Sequence, residues 1–227
     1  MRHIPDQHRI KQNNRCFFSL IHFRVMFYFI NKLFLLKIVD FWNVNYLLMK
    51  PLDIIAKYYK PRSKAYKILV CHSTLVAEKA LKIAQNHKEF LPDLAFMEEA
   101  AMLHDIGIFK TNAPDLLCFG EYPYLCHGYL GCELLVEEGF PDHGLVCERH
   151  TGVGITVEEI IAKKLPLPLR DYRPVSVEEQ IICFADKFFS KSGDINHEKS
   201  VNEIRKSMQK YGKSSVTRFD EWCEIFL

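Results

Sequence analysis

The chain has 227 residues, 48% hydrophobic and 26% charged, a balance that excludes a disordered polypeptide and allows one sizeable core. Residues 1–48 hold seven Lys/Arg against two Asp, so that +5 sits there and −3 on the remainder, which excludes a broad nucleic-acid-binding surface on the body. Eight cysteines with no Cys-x-x-Cys pair, in a chain without a secretory cleavage signal, point to free thiols in a cytoplasmic protein rather than a disulfide scaffold or zinc finger.

Residues 1–48 contain no Ala, Gly, Glu or Thr and are heavy in Phe, Ile, Asn, Leu and Lys. That bias is what translated A/T-rich non-coding DNA would give, and Met49 offers an alternative start. The stretch is read as a poorly structured N-terminal extension ahead of a domain over 49–227. Its alternative is a weak membrane segment over 16–49. Arg24, Asn31, Lys32, Lys37 and Asp40 interrupt it, however, before any run reaches the ~20 apolar residues of a spanning helix. No membrane partner is expected unless that segment is a real anchor.

From Pro51 the pattern is helical. A short piece, 51–59, is closed by Lys60-Pro61. Ser63 can cap a long helix to about His87, in which Leu69, His72, Val76, Ala80 and Ile83 recur at spacings of three and four, so His72 lies on the buried face. Pro92-Asp93 opens the next helix, with Pro in the first turn, and Leu94, Met97, Ala101 and His104 share its inner face. His104-Asp105 come at its end, where two adjacent side chains can serve one site, and Gly107 is read as the C-terminal cap.

Residues 110–126 are expected to form an irregular loop whose Phe119, Tyr122 and Tyr124 could stack on a flat substrate group or pack as a surface cluster. His127 heads the next helix, ended by Gly139-Phe140-Pro141. A further helix from about His143 delivers Arg149-His150-Thr151-Gly152-Val153-Gly154, whose glycines let the backbone approach a ligand. Leu165-Pro166-Leu167-Pro168 is extended, and Arg170 and Arg173 follow in a second long loop. Ser176 and Glu179 read as a capping box for a helix with Ile181, Ile182, Phe184, Ala185 and Phe188 as its stripe, and Asp186 stands among them at a cost unless paired or metal-bound. Amphipathic helices at about 196–210 and 215–226 close an all-α body without strand-like alternation.

His72, His104, Asp105, His127, His150 and Asp186 form a thiolate-free donor set suited to Fe, Mn, Co, Ni or Zn, and carboxylate bridging favours a pair of divalent ions. Paired metals about 3.5–4 Å apart suit phosphoester hydrolysis. Lys110, Arg149 and Lys187 are candidates to hold phosphoryl oxygens.

The order His72, His104-Asp105, Asp186, with His104-Asp105-Ile106-Gly107 as an HDIG motif, resembles the HD-domain metal-dependent phosphohydrolase superfamily. The surroundings agree, in His72-x-x-x-Val76-Ala77, His127-Gly128-x-x-Gly131, His150-Thr151-Gly152 and Ala185-Asp186-Lys187. The resemblance implies a single HD-domain helical bundle in which His72, His104, Asp105 and Asp186 hold one metal, and Asp105 bridges to a second held by His127 and His150. The His-Thr-Gly turn and Ala-Asp-Lys helix are most similar to the dinuclear HD hydrolases of diadenosine tetraphosphate. Hence the expected activity is cleavage of a phosphoester or phosphoanhydride in a small nucleotide-like substrate by a metal-bridging hydroxide. Two departures stand out. Thr151-Gly152-Val153-Gly154 replaces the Gly-Tyr-Pro of cyclic di-GMP phosphodiesterases, and Ile108 stands where a lysine often follows the motif glycine. The alternative function is a non-catalytic module that senses a nucleotide or metal.

Overall fold

Ser63 accepts a hydrogen bond from the Tyr66 amide at 3.2 Å and so starts the longest helix among the described residues, Lys64–Asn86, whose buried face carries Leu69, His72, Val76, Ala80 and Ile83 as their spacing predicts. The computed structural model describes residues 50–227; the expected N-terminal extension and the alternative membrane segment at 16–49 lie outside them. In chain order the helices are α1 (Pro51–Tyr58), α2 (Lys64–Asn86), α3 (Leu94–Leu103), α4 (His127–Glu137), α5 (Pro141–Arg149), α6 (Val157–Lys163), α7 (Val177–Asp186), α8 (Val201–Met208) and α9 (Lys213–Phe226). Among the described residues the architecture is all-α apart from one antiparallel pair of two-residue strands, β1 (Asn112–Ala113) and β2 (Cys118–Phe119).

Helix α2 packs on α3 and α7, and α4 on α5. The core is built around α7, where Ile181, Ile182, Phe184 and Ala185 are wholly buried. The Phe184 ring lies 5.2 Å from Phe188, 5.4 Å from Phe219 and 5.6 Å from Phe226, so α9 closes the bundle through aromatic contacts. Among the described residues the cysteines are free thiols, and no helix is long and apolar enough to cross a membrane.

Several local expectations need correction. Asp93 is the N-cap of α3, accepting from the Phe96 amide at 3.0 Å, so Pro92 stays outside the helix. Helix α3 ends at Leu103, and Gly107 sits in a 3-10 turn, Ile106–Lys110, rather than serving as a left-handed cap. The Ser176 box is only half formed. Its hydroxyl accepts from Glu179, but the Glu179 carboxylate turns to the Val175 amide and to Arg149. The 110–126 loop is more ordered than its composition suggests, because Asn112 donates to the Tyr122 carbonyl at 2.8 Å and Gly120 to that of Thr111 at 2.9 Å. The helix expected at 196–210 begins at Val201, where Ser200 and Glu203 make a full capping box.

Candidate metal centre

Five elements aim six side chains at one point. His72 comes from the middle of α2, His104 and Asp105 from the end of α3, His127 from the head of α4, His150 from the exit of α5 and Asp186 from the last turn of α7. His104 keeps helical dihedrals while Asp105 turns to φ −107°, ψ 8°. This sparsely used bridge conformation lets neighbours in sequence face the same site. All six residues are buried, none more than 7% exposed.

Asp105 divides the donors. Its Oδ2 lies 3.3 Å from His72 Nε2 and 3.1 Å from His104 Nε2, while its Oδ1 lies 3.3 Å from both His127 Nε2 and His150 Nε2. Asp186 Oδ1 completes the first group, 3.0 Å from His72 Nε2 and 3.5 Å from His104 Nε2. The donor atoms of His72, His104, Asp105 and Asp186 lie within 4.8 Å of one another, as do those of Asp105, His127 and His150.

The rings are set from behind. The Nδ1 of His104 meets the Ala101 carbonyl at 2.6 Å, that of His127 the Tyr124 carbonyl at 2.7 Å, and that of His150 the Cys147 carbonyl at 2.6 Å. A carbonyl can only accept, so each Nδ1 carries a proton and each Nε2 is turned to the site, where His127 and His150 present it as a lone pair. His127 Nε2 and His150 Nε2 then face each other at 3.0 Å. Two lone pairs at that distance repel unless a cation lies between them. Burial, followed by the neighbouring His150, pushes His127 down to about 3, and burial also lowers His150, so neither ring readily supplies a bridging proton.

Near the carboxylates the balance reverses. Burial opposes the charged form of His104, yet Asp105 and Asp186 outweigh it and push the ring up to about 9. Burial likewise opposes ionisation of Asp105 and Asp186, but His104 and Lys191 beside the first, and Lys187 and Lys191 beside the second, hold both well below the usual carboxylate range. The Oδ1 of Asp105 and the Nε2 of His104 are buried without a hydrogen-bond partner, while Asp105 Oδ2 has the Lys191 ammonium beside it. Orphaned polar atoms are costly, and here they belong to a mixed imidazole and carboxylate set, so these residues fit divalent metal ions.

The cationic residues are arranged differently from expectation. Lys187 Nζ donates to Asp186 Oδ2 at 2.7 Å and to the His150 carbonyl at 3.1 Å, at the edge of the centre. Arg149 is held by both oxygens of Glu179 at 3.0 Å, and Lys110 lines no part of the site cavity, so neither is positioned for the role considered for it. Sequence reasoning missed Lys191, whose Nζ lies 2.8 Å from Asp105 Oδ2. It sits in a non-periodic stretch after α7, where nothing in the spacing marks it. Of the loop aromatics, Tyr124 stacks on His127 with centroids 4.7 Å apart, whereas Phe119 and Tyr122 are 73% and 45% exposed and do not line the cavity.

Against known proteins, a model of the HD domain family matches residues 69–190. A protein of Picrophilus torridus named tRNA (cytidine(56)-2'-O)-methyltransferase is 36% identical over 141 residues, 61% of this chain and 36% of that protein. Its namesake in Thermoplasma volcanium is 31% identical over 156 residues, 68% of this chain and 40% of that protein. The chain thus spans well under half the length of these two relatives. An uncharacterized protein of Methanocaldococcus jannaschii is 32% identical over 145 residues, 63% of this chain and 78% of its own length. Among solved structures, the HD domain of the L. monocytogenes phosphodiesterase PgpH aligns at 17% identity and a TM-score of 0.42, covering 75% of this chain and 93% of that one.

Proposed function

The chain belongs to the HD domain family, and from that premise we propose that it is a metal-dependent phosphohydrolase cleaving a phosphoester or phosphoanhydride bond of a small nucleotide-like substrate. The observation that carries this reading is Asp105, one carboxylate addressing two imidazole groups through different oxygens at 3.1–3.3 Å. A shared carboxylate is the arrangement that suits a pair of divalent ions.

His72, His104, Asp105 and Asp186 would hold one ion, and Asp105, His127 and His150 the other. When bound, such ions supply Lewis acidity toward phosphoryl oxygens and lower the pKa of water. The chain's own residues do the rest. Backbone carbonyls keep three rings in the donor tautomer, so little reorganisation accompanies binding. Lys187 and Lys191 can neutralise non-bridging phosphoryl oxygens from the rim. Tyr124, stacked on His127, covers that ring against solvent.

A nucleotide-like substrate is supported by the cavity of about 500 Å³ that opens from the site, a size typical of organic ligands rather than of bare phosphate. The methyltransferase names belong to proteins that extend far beyond the matched region, and the slightly acidic body favours a small substrate over tRNA. The test is to load the full chain with Mn²⁺, Fe²⁺, Co²⁺, Ni²⁺ or Zn²⁺ and screen phosphomonoesters, cyclic nucleotides and dinucleoside polyphosphates. Metal-dependent release of phosphate or nucleotide is expected. Binding of nucleotides without turnover under every metal would contradict the hydrolase and favour a sensing module.

A further inference from the structure

The cavity beside the metal centre has unlike boundaries. His127, His150 and Asp186 belong to one part of its lining, while Ile204, Ser207 and Met208 of α8 and Tyr211 of the following turn belong to another. These latter residues lie beyond the 69–190 segment matched by the family. They are also braced against the body. Lys163 at the end of α6 donates to the Tyr211 carbonyl at 2.8 Å, and Arg218 of α9 pairs with Glu159 of α6 at 3.0 Å.

Charge and polarity vary along this lining in a way that matches an amphipathic ligand. The ammonium groups of Lys187 and Lys191 stand over Asp186 and Asp105, next to the metal-binding set. The α8 side offers the half-exposed Tyr211 ring, next to Ile204 and Met208, which are packed into the core. Inorganic phosphate or a small phosphoester would fill only a fraction of about 500 Å³ and leave the half-exposed Tyr211 ring uncovered.

We propose that α8 and the Gln209–Tyr211 turn form the specificity wall of the site, where Ser207, Met208 and Tyr211 select phosphates carried on a nucleoside-sized group with a flat or apolar face. The proposal rests on the metal-phosphate reading above and adds the residues that choose the organic half of the substrate. Tyr211 supplies the ring for stacking, in place of Phe119 and Tyr122, which do not line the cavity.

The experiment compares two non-hydrolysable probes by calorimetry on the metal-loaded full chain: α,β-methylene adenosine diphosphate, and methylenediphosphonate, which keeps the charged group without the nucleoside. Ser207→Trp fills the cavity from an exposed helix position, and Tyr211→Ala removes an exposed ring, so neither disturbs the core. Each variant should weaken the adenosine probe ~10-fold, about the worth of one aromatic contact, and leave methylenediphosphonate within ~2-fold. Unchanged metal content and melting temperature serve as folding controls. Equal weakening of both probes, or no weakening of either, overturns the specificity wall. So does a parent chain that binds both probes equally, even when it hydrolyses simple phosphoesters and the phosphohydrolase reading stands. Selective weakening in a chain that hydrolyses nothing supports the wall and defeats the hydrolase instead.

Discussion

An alanine at position 107 would place its Cβ 2.2 Å from the carbonyl oxygen of His127 and 2.5 Å from the Gly131 amide nitrogen. Backbone cannot yield as a side chain does, so the turn after Asp105 must move away from α4. The expected result for Gly107→Ala is a loss of stability of ~3 kcal/mol or more together with reduced metal content, since His127 and Asp105 separate. Calorimetry and metal analysis on the same sample check both. A second prediction concerns Tyr59, whose buried hydroxyl donates to the Ile106 carbonyl at 3.1 Å and accepts from the Phe109 amide at 2.9 Å, gripping that same turn. Tyr59→Phe should cost ~1–3 kcal/mol in denaturant titration, because an amide and a carbonyl lose their partner. Among the six proposed metal ligands, His72, His104 and Asp186 stand out in the sequence because they interrupt apolar helical faces, whereas Asp105, His127 and His150 are marked by the motifs around them. Lys191 was not legible, since a lone lysine in a loop carries no pattern. Arg149 was legible only as a charge, and its pairing with Glu179 depends on how α5 meets α7.

Between elements, Glu159 acts as a fastener. It returns the Thr156 cap to complete a capping box, pairs with Arg218 and accepts from Ser214 at 3.0 Å, so it ties α6 to α9. Burial raises its pKa, but the Thr156 amide and Arg218 outweigh burial and hold the carboxyl below its usual value. A depressed folded pKa means stability that is present above the unfolded value of ~4.5 and lost as pH falls through the folded one. Glu159→Gln should therefore melt lower than the parent at pH 7, by ~2–4 °C for each kcal/mol lost, and the gap should close in scans carried below pH ~4. A constant gap across that range would show that the carboxylate charge is not the fastener. Helix α6 is only seven residues long, too short to show an apolar stripe in the sequence, although Thr156 and Glu159 spell its cap. The β1–β2 pair was equally hidden, as two-residue strands have no periodicity to detect.

For the molecule as a whole, the all-helical class was readable because apolar residues recur at three-four spacing in α2, α3 and α7. What could not be read was how α8 and the adjoining turn lie beside the metal centre, since this depends on the path of the chain after Phe189. A chain begun at Met49 is expected to bind the same metals and turn over the same substrate at the same rate, because the six proposed ligands all lie beyond that point. Steady-state kinetics on both lengths would test it, and loss of activity in the shorter chain would make the first 48 residues a working part of the protein. The central claim is that Asp105 joins two metal positions, and metal content per chain measures it most directly. About two divalent ions are expected in the full chain, about one in His127→Ala, and depletion of both with loss of turnover in Asp105→Ala. An unchanged metal count in His127→Ala, or full turnover in Asp105→Ala, would contradict it.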